Sequence, residues 1–139
     1  MNRIPAIDIY VRYCETDAGG HVSNTSYFLY MEEGRTRFFE LLGFGPRTRK
    51  GINFIVASTE CDFIAQAYAS QTLSISTEIS HIGNKSFTMV HEIFNLETGA
   101  LIAIGRAVIV CYNFQEQQSV SIPPNLRNRL EQFLANVSI

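Results

Sequence analysis

The chain has 139 residues, 46% of them hydrophobic, and a formal net charge of −2. That is enough for one domain with its own core and too little for two, and the weak acidity excludes the positive field that nucleic acid requires. No apolar run approaches the roughly eighteen residues of a membrane span, and the opening MNRIPAIDIYVR lacks the apolar centre of a signal peptide. A single domain over residues 1–139, located in the cytoplasm, is expected.

In chain order, Ile4 to Tyr13 alternates loosely, with Ile7, Ile9, Val11 and Tyr13 on one side, and predicts a first strand. A polar turn follows with Glu15, Thr16, Asp17, Gly19 and Gly20, where adjacent glycines permit backbone conformations that other residues resist. A helix then begins, with Asn24 as cap candidate and Ser23 and Thr25 as neighbours able to share the role. Tyr27, Met31, Gly34, Phe38 and Leu41 recur at helical spacing, and Phe28, Leu42 and the stem of Arg35 widen the stripe. A glycine in mid-helix costs about 1 kcal/mol relative to alanine, so Gly34 predicts a close approach of the helix to a sheet. Glu32 and Arg35, three apart, are neighbours on the helix and read as a structural ion pair rather than as catalytic groups. Gly43, Gly45 and Pro46 end the helix, and Arg47, Arg49 and Lys50 form a small basic loop, either simply solvated or able to meet phosphate.

Four β-like segments come next, Ile52–Gln66, Thr72–Ile82, Lys85–Asn95 and Ala100–Phe114, and predict an antiparallel meander. In the third, Phe87, Met89, His91 and Ile93 share one face and Ser86, Thr88, Val90 and Glu92 the other. The last is apolar on both sides, the pattern of a central strand covered on both faces. Pro123 and Pro124 then open a short amphipathic helix marked by Leu126, Leu130, Phe133 and Leu134. A strongly curved sheet of about five strands that buries its concave face against the long helix is the economical α+β arrangement.

The chemistry lies in the turn. Asp17 precedes a helix N-terminus whose unpaired amides attract developing negative charge, and a carboxylate there can activate water or attack a carbonyl. The same pattern also serves as a plain turn or cap. Glu15 reads as exposed, and His21 either orients Asp17 or substrate or bonds within the turn. Cys14, Cys61 and Cys111 are widely spaced and odd in number, so reduced thiols are expected rather than disulfides or zinc ligands. None sits at a helix N-terminus, and His21, His81 and His91 show no metal-ligand spacing.

The run Asp17-Ala18-Gly19-Gly20-His21-Val22, with Asn24, Tyr27, Glu32, Gly34 and Arg35, resembles the signature of hotdog-fold acyl-CoA thioesterases of the 4-hydroxybenzoyl-CoA thioesterase and YbgC-like group. The order of elements through about Tyr112 fits that family. The resemblance implies a hotdog fold in which a five-stranded sheet wraps the helix, a homodimer joined sheet edge to sheet edge and often paired again into a tetramer, and a site between subunits. It implies hydrolysis of an acyl-CoA thioester with no metal and no cofactor. Asp17 falls on the family's general base or nucleophile, and the backbone amide of Asn24 on its oxyanion donor. His21, Tyr27, Phe28, Met31, Phe54 and Phe63 fall near the acyl group. Lys85, with Ser86 beside it, is the one charge retained where an aromatic-acyl member meets the CoA phosphates. Acyl carrier protein as thioester carrier, and a non-catalytic acyl-CoA sensor, are the alternatives that the resemblance leaves open.

Overall fold

The computed structural model describes residues 3–44 and 51–135, so the predicted basic loop of Arg47, Arg49 and Lys50 lies outside the described residues. Strand β1 (Ile7–Tyr10) leads through a 3-10 turn (Tyr13–Glu15) to helix α1 (Asn24–Leu41). Strands β2 (Ile52–Phe63), β3 (Thr72–Ile82), β4 (Ser86–Asn95), β5 (Leu101–Asn113) and β6 (Gln118–Ser119) follow, and helix α2 (Pro124–Glu131) closes the chain. All pairings between strands are antiparallel, in the order β1-β3-β4-β5-β2, with the two-residue β6 added beside the end of β5.

That order corrects the predicted meander. Only β3, β4 and β5 follow one another as neighbours; β2 crosses to the far edge and pairs with β5. The connection over residues 64–71 makes the crossing across one end of the sheet, where the amides of Ile64 and Ala65 both bond the carbonyl of Ile102. Hydrophobic alternation reports which face of a strand is buried, and carries no record of which strand lies beside it. The first strand is also shorter than predicted, because the chain turns into the 3-10 segment at Tyr13.

Helix α1 lies in the concave face. Tyr27, Tyr30, Met31, Gly34, Arg35 and Phe38 are buried along it, and the stripe ends on Leu42 rather than Leu41, which is 52% exposed. Gly34 marks the close approach: a Cβ there would stand 2.9 Å from Thr77 Oγ1 and 3.4 Å from Ile75 Cγ2. Gly105 on β5 does the same from the sheet side, since a Cβ there would collide with Met31 Sδ. At its other end α1 is held by Arg129 of α2, whose guanidinium donates to the carbonyls of Leu42 at 2.7 Å and Leu41 at 3.4 Å. A cation on the free carbonyls of a helix C-terminus satisfies both their lone pairs and the helix dipole.

Strand β5 is interior, as its apolar pattern predicted, but a single chain covers only one of its faces; Ile104, Val108 and Val110 are half-buried and Arg106 is exposed. The β4 face that faces α1 contains a polar centre. His91 is fully buried between Thr77 Oγ1, 3.0 Å from its Nδ1, and Arg35 Nη1, 3.3 Å from its Nε2. A guanidinium only donates, so Nε2 accepts and the imidazole proton sits on Nδ1. Arg35 thus turns inward to His91 instead of closing the expected structural ion pair with Glu32, whose charge it feels only through longer-range attraction.

Burial first, and then the Arg35 charge, push the His91 pKa down to about 3. The unfolded chain takes up this proton near pH 6.5 and the folded one does not, so stability is full above 6.5 and falls as pH drops toward 3. The slope approaches about 1.4 kcal/mol per pH unit. Urea unfolding at pH 7.5 and pH 5 should show wild type losing roughly 2 kcal/mol more than His91→Gln over this interval; equal losses would contradict the assignment.

Candidate active site

Asp17 sits in a tight connection whose flanks, Thr16 and Val22, are paired as an antiparallel bridge. Its amide donates to the His21 carbonyl at 2.7 Å, and its carbonyl accepts from the Gly20 amide at 3.0 Å. Gly20 has φ +82°, in the left-handed region that favours glycine. The side chain is held as well: Asp17 Oδ1 accepts from the amides of Gly19 at 2.9 Å and His21 at 3.3 Å. Oδ2 has no hydrogen bond among the described residues, so one oxygen is fixed by main chain and the other is left for chemistry. A side chain at Gly19 would crowd this arrangement, its Cβ falling 3.3 Å from Asp17 Oδ1 and 3.2 Å from His21 Nδ1.

The turn is anchored on two sides. Val22 donates to the Ala67 carbonyl at 2.8 Å, His21 forms a bridge with Tyr68, and their rings lie 5.2 Å apart. Glu15 ties the turn to α1: its carbonyl accepts from the Ser23 amide at 3.0 Å and Ser26 Oγ at 2.8 Å, and its carboxylate from the Tyr30 hydroxyl at 3.0 Å and from Arg12. This corrects the expectation that Glu15 is exposed, since its side chain is only 17% exposed. Burial pushes its pKa up, but bonds from the Arg12 main chain and guanidinium and from Tyr30 outweigh that and leave it lowered. Of the three cap candidates, Ser23 takes the N-cap position of α1, without a side-chain bond to the helix amides. The Ser23 hydroxyl is engaged by Thr25 and Ser26, and Asn24 becomes the first helical residue.

A cavity of about 480 Å3 opens at this junction, lined by Asp17, Val22, Asn24, Tyr27, Phe63, Ile64, Ala65 and Gln66. It unites four of the residues singled out from sequence: Asp17, Asn24, Tyr27 and Phe63. Phe28 stands just outside, its ring 6.4 Å from that of Phe63, and Met31 lies in the core beneath, against Gly105. His21 contributes its main chain to Asp17 and its ring to Tyr68.

Phe54 is elsewhere, packed against Phe39, Phe44 and Phe87 in the second half of the core. Lys85 and Ser86 belong to the β3–β4 hairpin beside α2, whose Arg127 donates to the carbonyls of Gly83 and Asn84. The eleven residues of β3, roughly 35 Å of strand, separate that hairpin from the Asp17 end. The residues from Ile64 to Gln66 are the part of the lining that sequence reading missed, because they wall the cavity only through the crossing of β2. The geometry does not favour any cysteine as a nucleophile: Cys14 is exposed, Cys111 buried, and burial pushes the Cys61 thiol up to about 11. Among the described residues no three acidic, histidine or cysteine side chains gather as a metal site, and no helix is long and apolar enough to cross a membrane.

A curled antiparallel sheet around one long helix, with a carboxylate held at the helix's amino end, defines a hotdog domain. The sequence pattern of the thioesterase-like superfamily matches residues 11–130, and the chain belongs to that superfamily as a thioester hydrolase. It is 33% identical over 101 residues to the uncharacterized protein YsmA of Bacillus subtilis, covering 69% of this chain and 68% of that one. It is 27% identical over 128 residues to the long-chain acyl-CoA thioesterase FadM of Escherichia coli, covering 91% and 96%. A predicted thioesterase from Bacillus stearothermophilus superposes with a TM-score of 0.84 at 32% identity, over 96% of this chain and 98% of that one.

Proposed function

We propose that the protein hydrolyses an acyl-CoA thioester to the free acid and CoA, with Asp17 as the group that activates water or attacks the carbonyl. The observation that carries this is the pairing of a carboxylate fixed through one oxygen, Oδ1, with the first turn of α1 in the wall of one cavity. The thioester carbonyl sits between them. Negative charge that develops on its oxygen is met by the Asn24 amide, which, as the first of the helix, has no intrahelical acceptor. If Asp17 acts as base, water loses its proton to Oδ2 and adds to the carbonyl, and CoA leaves as thiol when the tetrahedral intermediate collapses. If Asp17 attacks, Oδ2 bonds to the carbonyl carbon as the C–S bond breaks and CoA leaves as thiolate, and water then opens the resulting mixed anhydride to the free acid and the restored Asp17 carboxylate. Both routes use the same two groups.

The functional unit in this reading is a homodimer joined along β2. This strand forms a sheet edge and leaves Ile55, Val56 and Phe63, with Ile64 just beyond it, exposed at 36%, 43%, 48% and 53%. A long apolar edge of that kind is a template for pairing with another chain. Lys85 and Ser86, remote from Asp17 within one chain, are then assigned to the CoA end of a site shared between copies.

CoA itself as the carrier is tested by comparing an acyl-CoA with the same acyl group on pantetheine. A kcat/KM at least about tenfold higher for the CoA thioester supports recognition of the nucleotide; equal values would show that only the acyl-pantetheine portion is read, as an acyl-carrier substrate requires.

A further inference from the structure

The described residues contain one buried side-chain polar atom without a hydrogen-bond partner, the hydroxyl of Tyr27. The residue is 3% exposed and lines the Asp17 cavity, three positions along α1 from Asn24. Enclosed hydroxyls are almost always paired, so an orphan in a cavity wall points to a partner that arrives with the ligand. The Ala67 main chain comes near enough to offset part of the rise that burial gives this phenol, without reaching hydrogen-bond geometry. An influence of that sign uses the oxygen as an acceptor and leaves the O–H proton unspent. No neighbour takes that proton: Tyr30, whose hydroxyl donates to Glu15, and Cys61, whose Sγ faces the Asp62 carbonyl at 3.8 Å, are not hydrogen-bonded to the Tyr27 hydroxyl. What is missing is therefore an acceptor.

We propose that Tyr27 determines specificity by donating its hydroxyl proton to an oxygen on the first carbons of the acyl group, so that 2- or 3-hydroxyacyl thioesters are preferred over unsubstituted ones. This rests on the thioesterase reading above. The thioester carbonyl is already met there by the Asn24 amide at the open part of the cavity, whereas the Tyr27 hydroxyl is closed off from solvent. Three residues of helix advance about 4.5 Å along the axis, which places Tyr27 beside the start of the acyl chain rather than its far end. Phe63, half exposed with its ring 5.4 Å from that of Tyr27, is the side chain that turns aside to admit the oxygen. A plain chain would leave the hydroxyl unpaired, and a site built around a hydrogen bond rejects the analogue that lacks it.

Binding of hexanoyl-CoA, 2-hydroxyhexanoyl-CoA and 3-hydroxyhexanoyl-CoA is measured by calorimetry on Asp17→Asn, so that nothing is cleaved, with and without Tyr27→Phe. One hydroxyacyl-CoA should bind at least about fivefold tighter than hexanoyl-CoA while Tyr27 is present, and the ratio should fall to about one with Phe. Equal affinities with Tyr27 in place, or a preference that survives Tyr27→Phe, overturn the proposal. Tyr27→Phe keeps the ring and deletes an unpaired group, so its Tm should equal or exceed that of the parent; a clear drop would reveal a partner within the chain and also overturn it. Should wild type cleave none of the three while the binding preference holds, the hydrolase reading fails and the assignment of Tyr27 stands.

Discussion

Asp17→Asn is expected to fold, to associate as wild type does, and to lose at least about a hundredfold in kcat. The amide keeps an oxygen at Oδ1 to accept from Gly19 and His21, so the turn and its tie to Tyr68 and Ala67 survive. What changes is Oδ2, replaced by an NH2 group that neither takes a proton at neutral pH nor attacks a carbonyl. General bases and nucleophiles contribute about 10²–10⁴ to rate. With substrate contacts intact, the loss should fall on kcat with KM little changed. Thiol release at saturating substrate, with Tm as control, checks it; a fully active, folded variant would return Asp17 to the status of a turn residue.

Asn24→Pro is expected to lose about 10²–10³ in kcat while Asn24→Ala stays within a few-fold of wild type, because the main-chain amide and not the side chain meets the oxyanion. Proline is suited to this position on structural grounds. It occupies the first position of α1, where the missing N–H has no helical acceptor, and Ser23 before it is already extended at φ −69° and ψ 150°. Helix content by circular dichroism should therefore be unchanged. Similar activity in the proline and alanine variants would place the oxyanion donor elsewhere.

The asymmetry between what the sequence disclosed and what it concealed has a physical origin. Asp17, Gly19, Gly20 and the start of α1 lie within a few residues of one another, and turn chemistry and helix starts are local, so this half of the cavity was legible. In the other half Phe63 was indicated by the resemblance alone and Ile64 to Gln66 not at all, since these residues arrive only because β2 crosses the sheet to pair with β5. Tyr30 was missed because a helix wrapped by a curved sheet buries a wider stripe than one i, i+4 row records. His91 on a mostly apolar face was visible as a period-two neighbour of Met89 and Ile93, but its partners Arg35 and Thr77 come from two other elements. Gly34 was the exception among long-range features: its cost within a helix implied a close sheet before any sheet was placed, and Thr77 and Ile75 are there.

The most direct measurement is release of free thiol by the wild-type protein from a panel of acyl-CoAs that runs from short aliphatic through long-chain to hydroxybenzoyl. The account predicts multiple turnovers on at least one of them, reduced at least about a hundredfold by Asp17→Asn. Tight binding of acyl-CoAs with no thiol released from any would contradict it and leave a binding module in place of an enzyme.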